Sequence, residues 1–329
     1  LDAKKAINFV SDMFFLVRPT LLVPVWTLLF LGWITAQERA PFLSFDVFSP
    51  FGKMFFVFTA VVGCIYIVNQ IADRESDKIN NKLFILSHNY LPVRLAWILA
   101  TMLLAFSLLG AWFWLDLLSF LIVLCAALTG FFYNCPPLKL KDRPWGGFLA
   151  NCFGHGILTY YAGWYAAQIH SANGVNLSQE FTVPAIGFFY ALSAGFANGA
   201  VYLTTTLSDM KGDKKVDKRT FAVAYGAKNT TFFATLCVVI SFFTAFFIPN
   251  AAWTMAIPAG ICIPLFYQLH KSQKIDLAFR TFRYPVFILS AVTAIFVPAY
   301  GIFAIAIVIL SRIYYKNRFN LEYPSFRKE

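Results

Sequence analysis

Long apolar runs separated by short polar stretches set the pattern of this chain. Nine of them can be marked, at roughly 13–36, 52–72, 93–113, 117–133, 146–168, 184–207, 229–248, 251–270 and 284–311. Most approach the ~20 residues that a helix needs to cross a bilayer. They are too long, and too uniformly apolar, for the alternating segments of a membrane β-barrel. The pattern therefore predicts an all-α integral membrane protein. Spans three and four are separated by only a few residues, as are seven and eight around Pro249, so each pair is expected to form an antiparallel hairpin. Arg18-Pro19 and Pro24 interrupt the first span, and Pro298 predicts a kink in the last.

Composition agrees with this reading. Of 329 residues, 59% are hydrophobic and 13% are charged, against about 25% charged in a soluble domain. The net charge of +11 is read as loop charge in a lipid bilayer protein and not as a nucleic-acid footprint. Basic residues crowd the even-numbered loops: Arg74, Lys78, Lys82 and Arg94; Lys139, Lys141 and Arg143; Lys211, Lys214, Lys215, Lys218, Arg219 and Lys228; and Lys271, Lys274, Arg280 and Arg283. Lys4 and Lys5 precede the first span, while the odd loops hold only Arg39 and Lys53. The positive-inside rule then places the N-terminus and the even loops in the cytoplasm. With nine spans the basic tail (Arg312, Lys316, Arg318, Arg327, Lys328) falls on the opposite side, against the same rule. The six cysteines form no CxxC pair, so neither a disulfide framework nor a zinc site is suggested.

The polar chemistry is concentrated where two spans end. After span two come Asn69, Asp73 and Asp77, spaced i, i+4, i+8. Each step of four drifts only about 40° around a helix, so the three share one face. After span six come Asp209 and Asp213 at the same spacing. Four spans lie between the two stretches, so both emerge on one side. This also suggests two similar halves, roughly 13–133 and 146–270, with a ninth helix at 284–311. Carboxylates paired across one cavity carry roughly four negative charges and repel unless a cation joins them. Mg2+ binds through one or two carboxylates together with substrate phosphates, and the nearby lysines suit a diphosphate. A third stretch, Tyr133-Asn134-Cys135-Pro136-Pro137-Leu138-Lys139, follows span four as an extended turn. Arg18 lies just inside span one on the same side. Asn151, His155 and Asn198 are polar positions within spans five and six. They are open to two readings, an interhelical hydrogen bond or a contact that orients a substrate.

Together, Asn69-x-x-x-Asp73-x-x-x-Asp77, Asp209-x-x-x-Asp213, the Tyr133 to Lys139 turn and the nine spans resemble the UbiA superfamily of intramembrane prenyltransferases, over nearly the whole chain. The resemblance implies nine transmembrane helices in a ring around a central cavity open to lipid, with cytoplasmic cap segments after helices 2 and 6. It implies Mg2+-dependent transfer of an isoprenyl chain from an isoprenyl diphosphate to a lipophilic acceptor. By resemblance, Asn69, Asp73, Asp77, Asp209 and Asp213 take the metal and diphosphate roles. Arg18, Lys139, Lys211 and Lys215 bind phosphate oxygens, and Tyr133 lies at the reacting carbon. The segment from Asn69 through Asp77 to Asn80 is similar to homogentisate-type members, whereas Lys82 to Asn89 departs from them. An aromatic or quinone-precursor acceptor is expected, with chlorophyll-type, carotenoid and glyceryl-phosphate acceptors as alternatives within the superfamily. A transporter or channel, or a non-catalytic lipid-binding subunit of a membrane complex, is the reading from another class. The clustering of the acids at one face argues against a pathway across the membrane.

Overall fold

The computed structural model describes residues 3–37, 45–79, 84–171, 182–249 and 251–324. Arg39, Asn80, Lys82, Arg327 and Lys328 lie outside the described residues. The chain runs α1 (Ala3–Leu16), α2 (Pro19–Ala36), α3 (Pro50–Ala72), α4 (Arg74–Ile79), α5 (Phe84–Ser87), α6 (Val93–Trp114), α7 (Leu117–Asn134), α8 (Pro144–Ala150), α9 (Thr159–Ser171), α10 (Thr182–Lys215), α11 (Phe221–Thr244), α12 (Trp253–Ser272), α13 (Ile275–Phe296) and α14 (Pro298–Phe319). A π-helical segment, Asn151–Leu158, joins α8 to α9. There is no strand among the described residues. Eight helical segments are long and apolar enough to cross a bilayer, and the chain is an all-helical, multi-pass membrane protein.

The middle of the molecule is α2, whose side chains from Leu22 to Thr35 are almost all buried. It packs on α9, α3, α13 and α14. Close approach to α9 depends on glycine at two positions. A Cβ on Gly32 would overlap the Tyr160 carbonyl oxygen, and one on Gly163 would overlap that of Leu29. Small residues are the usual device for bringing two helix backbones together where lipid offers no hydrophobic drive. The expected hairpins are adjacent pairs, α6 with α7 and α11 with α12. Asp116 starts α7 by accepting the Ser119 N–H at 2.8 Å, a capping contact that satisfies one orphan donor.

Three expectations change. The first span is two helices, because Arg18 adopts φ 56°, ψ 62° and Pro19 begins α2. Proline disfavours a helical conformation in the residue before it and is at home in a first turn. Span six does not stop near residue 207 but continues as α10 to Lys215, so Asp209 and Asp213 stand on the helix itself. The last stretch, expected as one kinked helix over 284–311, is α13 and α14 with a reversal at Val297 (φ −129°, ψ 80°). Pro298 supplies no N–H for a continuous helix. The chain folds back instead: the Tyr300 hydroxyl donates to Ser290 Oγ at 3.2 Å, and Phe303 packs against Trp26 with ring centroids 5.0 Å apart.

This reversal also corrects the tail. At the far end of α14, Arg318 bonds the Asp12 carboxylate through Nε (3.0 Å) and Nη2 (2.9 Å). Tyr314 donates to the same group at 2.6 Å. Beside α1, Gln70 of α3 donates to the Leu16 carbonyl at 2.7 Å. The basic end of α14, the end of α1 and the acidic end of α3 therefore lie together. The added crossing removes the conflict between the tail and the loop charges.

Candidate functional site

Three helix C-termini meet at this end. Asp73 caps α3, Asn134 is the last residue of α7, and Asp213 sits in the last turn of α10. Asn134 is fully buried. Its Nδ2 donates to the Gly130 carbonyl at 3.0 Å, which turns its Oδ1 toward α3. There it accepts Asn69 Nδ2 at 2.7 Å and Lys141 Nζ at 3.4 Å. Asn69 Nδ2 also lies 3.1 Å from Asp73 Oδ2. The same Asp73 oxygen takes Lys141 Nζ at 2.8 Å, and its Oδ1 takes Lys218 Nζ at 3.0 Å.

Two left-handed residues aim these lysines. Lys139 (φ 40°) reverses the chain after the cis Pro136–Pro137 pair, and the Asp142 N–H closes on the Lys139 carbonyl at 3.0 Å. Lys141 then points inward with its side chain 7% exposed, while Lys139 stays 47% exposed and pairs with Asp142 at 3.8 Å. Asp217 (φ 53°) does the same after α10, a conformation that Asp tolerates better than most residues. The Lys218 N–H bonds the Asp213 carbonyl at 3.0 Å, and Thr220 Oγ1 donates to Asp213 Oδ2 at 3.0 Å.

Burial opposes the charged form of Asp73. The Lys141 and Lys218 ammonium groups outweigh it and hold the carboxyl below its usual range. For Lys218 burial again opposes charge, but Asp73, with Asp142 and Asp213 behind it, raises the group above its ordinary value. The same three carboxylates act on Tyr133, whose hydroxyl shares a hydrogen bond with the Asn151 side chain.

The structure thus brings Asn69, Asp73, Tyr133 and Asp213 together. Asp77 follows half-buried on α4, its N–H bonded to the Asp73 carbonyl at 2.8 Å. Asp209, Lys211 and Lys215 are exposed. Arg18 acts on Tyr66, about two turns before Asp73 on α3, and on Tyr315 of the returning α14. Asp142 and Thr220 were not named from the sequence; Asn134 and Lys141 stood only within the turn after span four, and Lys218 only among the lysines near the acidic pairs. That both lysines meet Asp73 was not visible, because the contacts cross 68 and 145 positions.

Among the described residues no three His, Cys, Asp or Glu side chains converge as a metal-ligand set. Lysine ammonium groups occupy both Asp73 oxygens. The donors around them are hard oxygens, and Asp142 Oδ1 is buried without a hydrogen-bond partner among the described residues. That donor chemistry fits Mg2+. A groove of about 630 Å³ lies elsewhere, between α11 and α12 and lined by Phe242, Phe246, Trp253 and Ile257. It is apolar and carries no comparable chemistry.

The fold and this end-on cluster of acids and lysines define a polytopic helical membrane protein with a polar site at one membrane face. Residues 21–291 match the UbiA prenyltransferase family, and the chain belongs to it. It is 28% identical over 229 residues to a probable homogentisate phytyltransferase 2 of Oryza sativa, covering 66% of this chain and 58% of that protein. It is 29% identical over 200 residues to a 2-acylphloroglucinol 4-prenyltransferase of Humulus lupulus, covering 56% and 44%. The chain spans about half the length of the curated relatives it matches. A UbiA homologue from Archaeoglobus fulgidus, solved with GPP and Mg2+, superposes with a TM-score of 0.66 at 20% identity over 90% of this chain and 99% of that one. A second homologue, from Aeropyrum pernix K1, gives 0.59 at 12% identity over 90% and 98%. At these identities the solved structures show the shared fold. The match ends before α14, so the helix that returns the tail lies beyond it.

Proposed function

We propose that this chain is a Mg2+-dependent membrane prenyltransferase that moves an isoprenyl group from a prenyl diphosphate to a lipophilic aromatic acceptor. The observation that carries the reading is Asp73 held between Lys141 and Lys218, with Asp213 and Tyr133 alongside. The names of the relatives support an aromatic acceptor, since homogentisate and acylphloroglucinols are both phenols. A solved homologue that holds GPP with Mg2+ supports the donor.

Asn69, Asp73, Asp77, Asp209 and Asp213 would hold Mg2+, which when bound neutralises charge on the departing diphosphate. Lys141 and Lys218 are long enough to exchange Asp73 for diphosphate oxygens, and such charge-assisted bonds strengthen as charge develops there. Lys139, Lys211, Lys215 and Arg18 extend the positive field toward the donor. The Asn69–Asn134 hydrogen bond keeps Asp73 in register with Lys141. Tyr133 presents its ring where an allylic cation forms and stabilises it through its π-face. We place this end in the cytoplasm, because the basic loops and the basic end of α14 collect here. A ring of helices built from two halves around a lipid-open cavity completes the reading, supported by the acidic stretches that end α3 and α10 alike.

The test is turnover by the purified protein, with prenyl diphosphates of graded length against homogentisate and acylphloroglucinol acceptors, with and without Mg2+. A prenylated phenol formed only with Mg2+ is expected. Failure to bind or consume any prenyl diphosphate, or cation flux in liposomes without one, defeats the reading.

A further inference from the structure

Three polar side chains stand within the membrane-spanning region near the site, and the structure separates them. Asn151 is engaged twice, donating to the Gly147 carbonyl at 2.9 Å and bonding Tyr133. Asn198 donates to the Asn151 carbonyl at 2.9 Å. Both are packing contacts between helices. His155 is different. Its imidazole stacks on Tyr66 with centroids 5.8 Å apart and planes 23° from parallel. Neither ring nitrogen has a hydrogen-bond partner among the described residues, and neither is wholly buried.

Its placement follows from the π-helical segment, whose wide turn is a form that recurs at functional sites. On either side of His155, Gly154 faces Thr129 of α7 and Gly156 lies against the Gly195 backbone of α10. The two glycines take up the helix contacts and leave the imidazole toward α3. Two independent routes set its depth. Along its own element His155 is one turn from Asn151, the partner of Tyr133. Through the stack it meets Tyr66, three residues and about 4.5 Å of helix rise before Asn69. Both routes put the ring inward of the Asp73–Lys141–Lys218 cluster, about one turn beyond Asn69 and about two turns, roughly 10 Å of helix rise, beyond Asp73. A diphosphate held at that cluster carries its prenyl C1 part of the way to that depth, and an attacking atom must come within about 3–3.5 Å of C1.

Resting on the reading of the site as an aromatic prenyltransferase, we propose that His155 is the general base that takes the phenolic proton of the acceptor. An imidazole nitrogen lone pair accepts the O–H proton, and the O–H electrons pass into the ring. The ring carbon ortho or para to that oxygen then forms the new bond to C1. The C1–O bond breaks with its electron pair leaving on diphosphate. The substituted carbon releases its own proton to restore aromaticity, and the imidazolium returns its proton to the phenolate. One proton and one diphosphate are released overall, and no further reagent is needed.

The experiment compares wild-type protein in lipid nanodiscs with His155→Phe and His155→Asn, the second retaining a polar side chain of similar reach. Acceptors are homogentisate and ring-fluorinated homogentisates of increasing phenol acidity. Mg2+-dependent binding of radiolabelled geranyl diphosphate is measured beside turnover. Both variants are expected to bind the donor as wild type does and to lose about 100-fold in kcat with the least acidic phenol, the scale of general-base catalysis. The wild-type to variant ratio is expected to shrink at least tenfold across the series, since an ionised phenol needs no base. A loss equal for every acceptor, a loss of donor binding, or undiminished turnover in either variant overturns the assignment. If the wild-type protein binds the donor but prenylates no phenol in the series, the aromatic-acceptor reading itself falls.

Discussion

Lys218 Nζ lies 3.0 Å from Asp73 Oδ1, joining residues 145 positions apart. One is the C-cap of α3. The other leaves a turn that begins where α10 ends. Their contact ties together the two acidic stretches, and Lys141 on the other Asp73 oxygen ties in the turn after α7. The cluster is held from three loops by two ion pairs, and these can be tested one by one.

Asp73→Asn is expected to abolish turnover and to destabilise the fold by about 3 kcal/mol, because it leaves the buried Lys141 ammonium without its charge partner. Thermal unfolding in detergent reads the stability. If Lys141→Met is added to Asp73→Asn, part of that cost is expected to return. Strictly additive losses in the double variant would show that the pair is not coupled.

Among the lysines, Lys218→Met and Lys141→Met are expected to raise KM for the prenyl diphosphate at least tenfold more than Lys211→Met, Lys215→Met or Lys139→Met. Steady-state kinetics with varied donor provides the ranking. Equal effects from the exposed lysines would mean that the general field, not the Asp73 contacts, governs donor binding.

The pH dependence of stability has a defined sign. Asp73 is held below its ordinary value of 3.8, so its contribution is complete above that value and is lost as pH falls through the lower folded-state pKa. Lys218 is raised above 10.5, so its contribution is complete below that value and is lost as pH rises through the higher folded-state pKa. The melting difference between wild type and Lys218→Met should be flat through the neutral range and shrink at both extremes. A difference that changed within the neutral range, or that persisted undiminished at both extremes, would contradict this account.

At the joint of α1 and α14, Asp12 is 1% exposed and bonded by Arg318 and Tyr314. Asp12→Asn or Arg318→Met is expected to lower stability by about 3 kcal/mol, with donor KM changed less than twofold. Melting temperature and KM measured on one preparation separate this structural role from a catalytic one.

Where α2 crosses α9, Gly163→Val is expected to cost stability by overpacking, about 1–3 kcal/mol, since a Cβ there already overlaps the Leu29 carbonyl oxygen. Reduced yield of folded protein after detergent extraction, together with a lowered melting temperature, checks it.

Much of this molecule is legible along the chain. Apolar run length determines a helical membrane protein, and the spacing of Asn69, Asp73 and Asp77 and of Asp209 and Asp213 marks the acidic end. Loop charge sets the expectation for which end faces the cytoplasm. These are local properties, because helix formation and membrane insertion depend on contiguous residues. Long-range decisions were not legible. Pro298 looks the same in a kinked helix as in a reversal. Only the packing of α14 against α2 and α1 selects the reversal, and with it the side of the tail. Lys139 and Lys141 have the same chemistry and differ by two positions. The left-handed turn at Lys139 sends one to solvent and the other to Asp73. His155 reads like Asn151 and Asn198 until their hydrogen bonds are traced. The sequence by itself determined what kind of groups gather at this end of the membrane. The tertiary structure decided which of them touch, because contact across 68 or 145 residues depends on where backbone turns aim a side chain, and no local pattern records that direction.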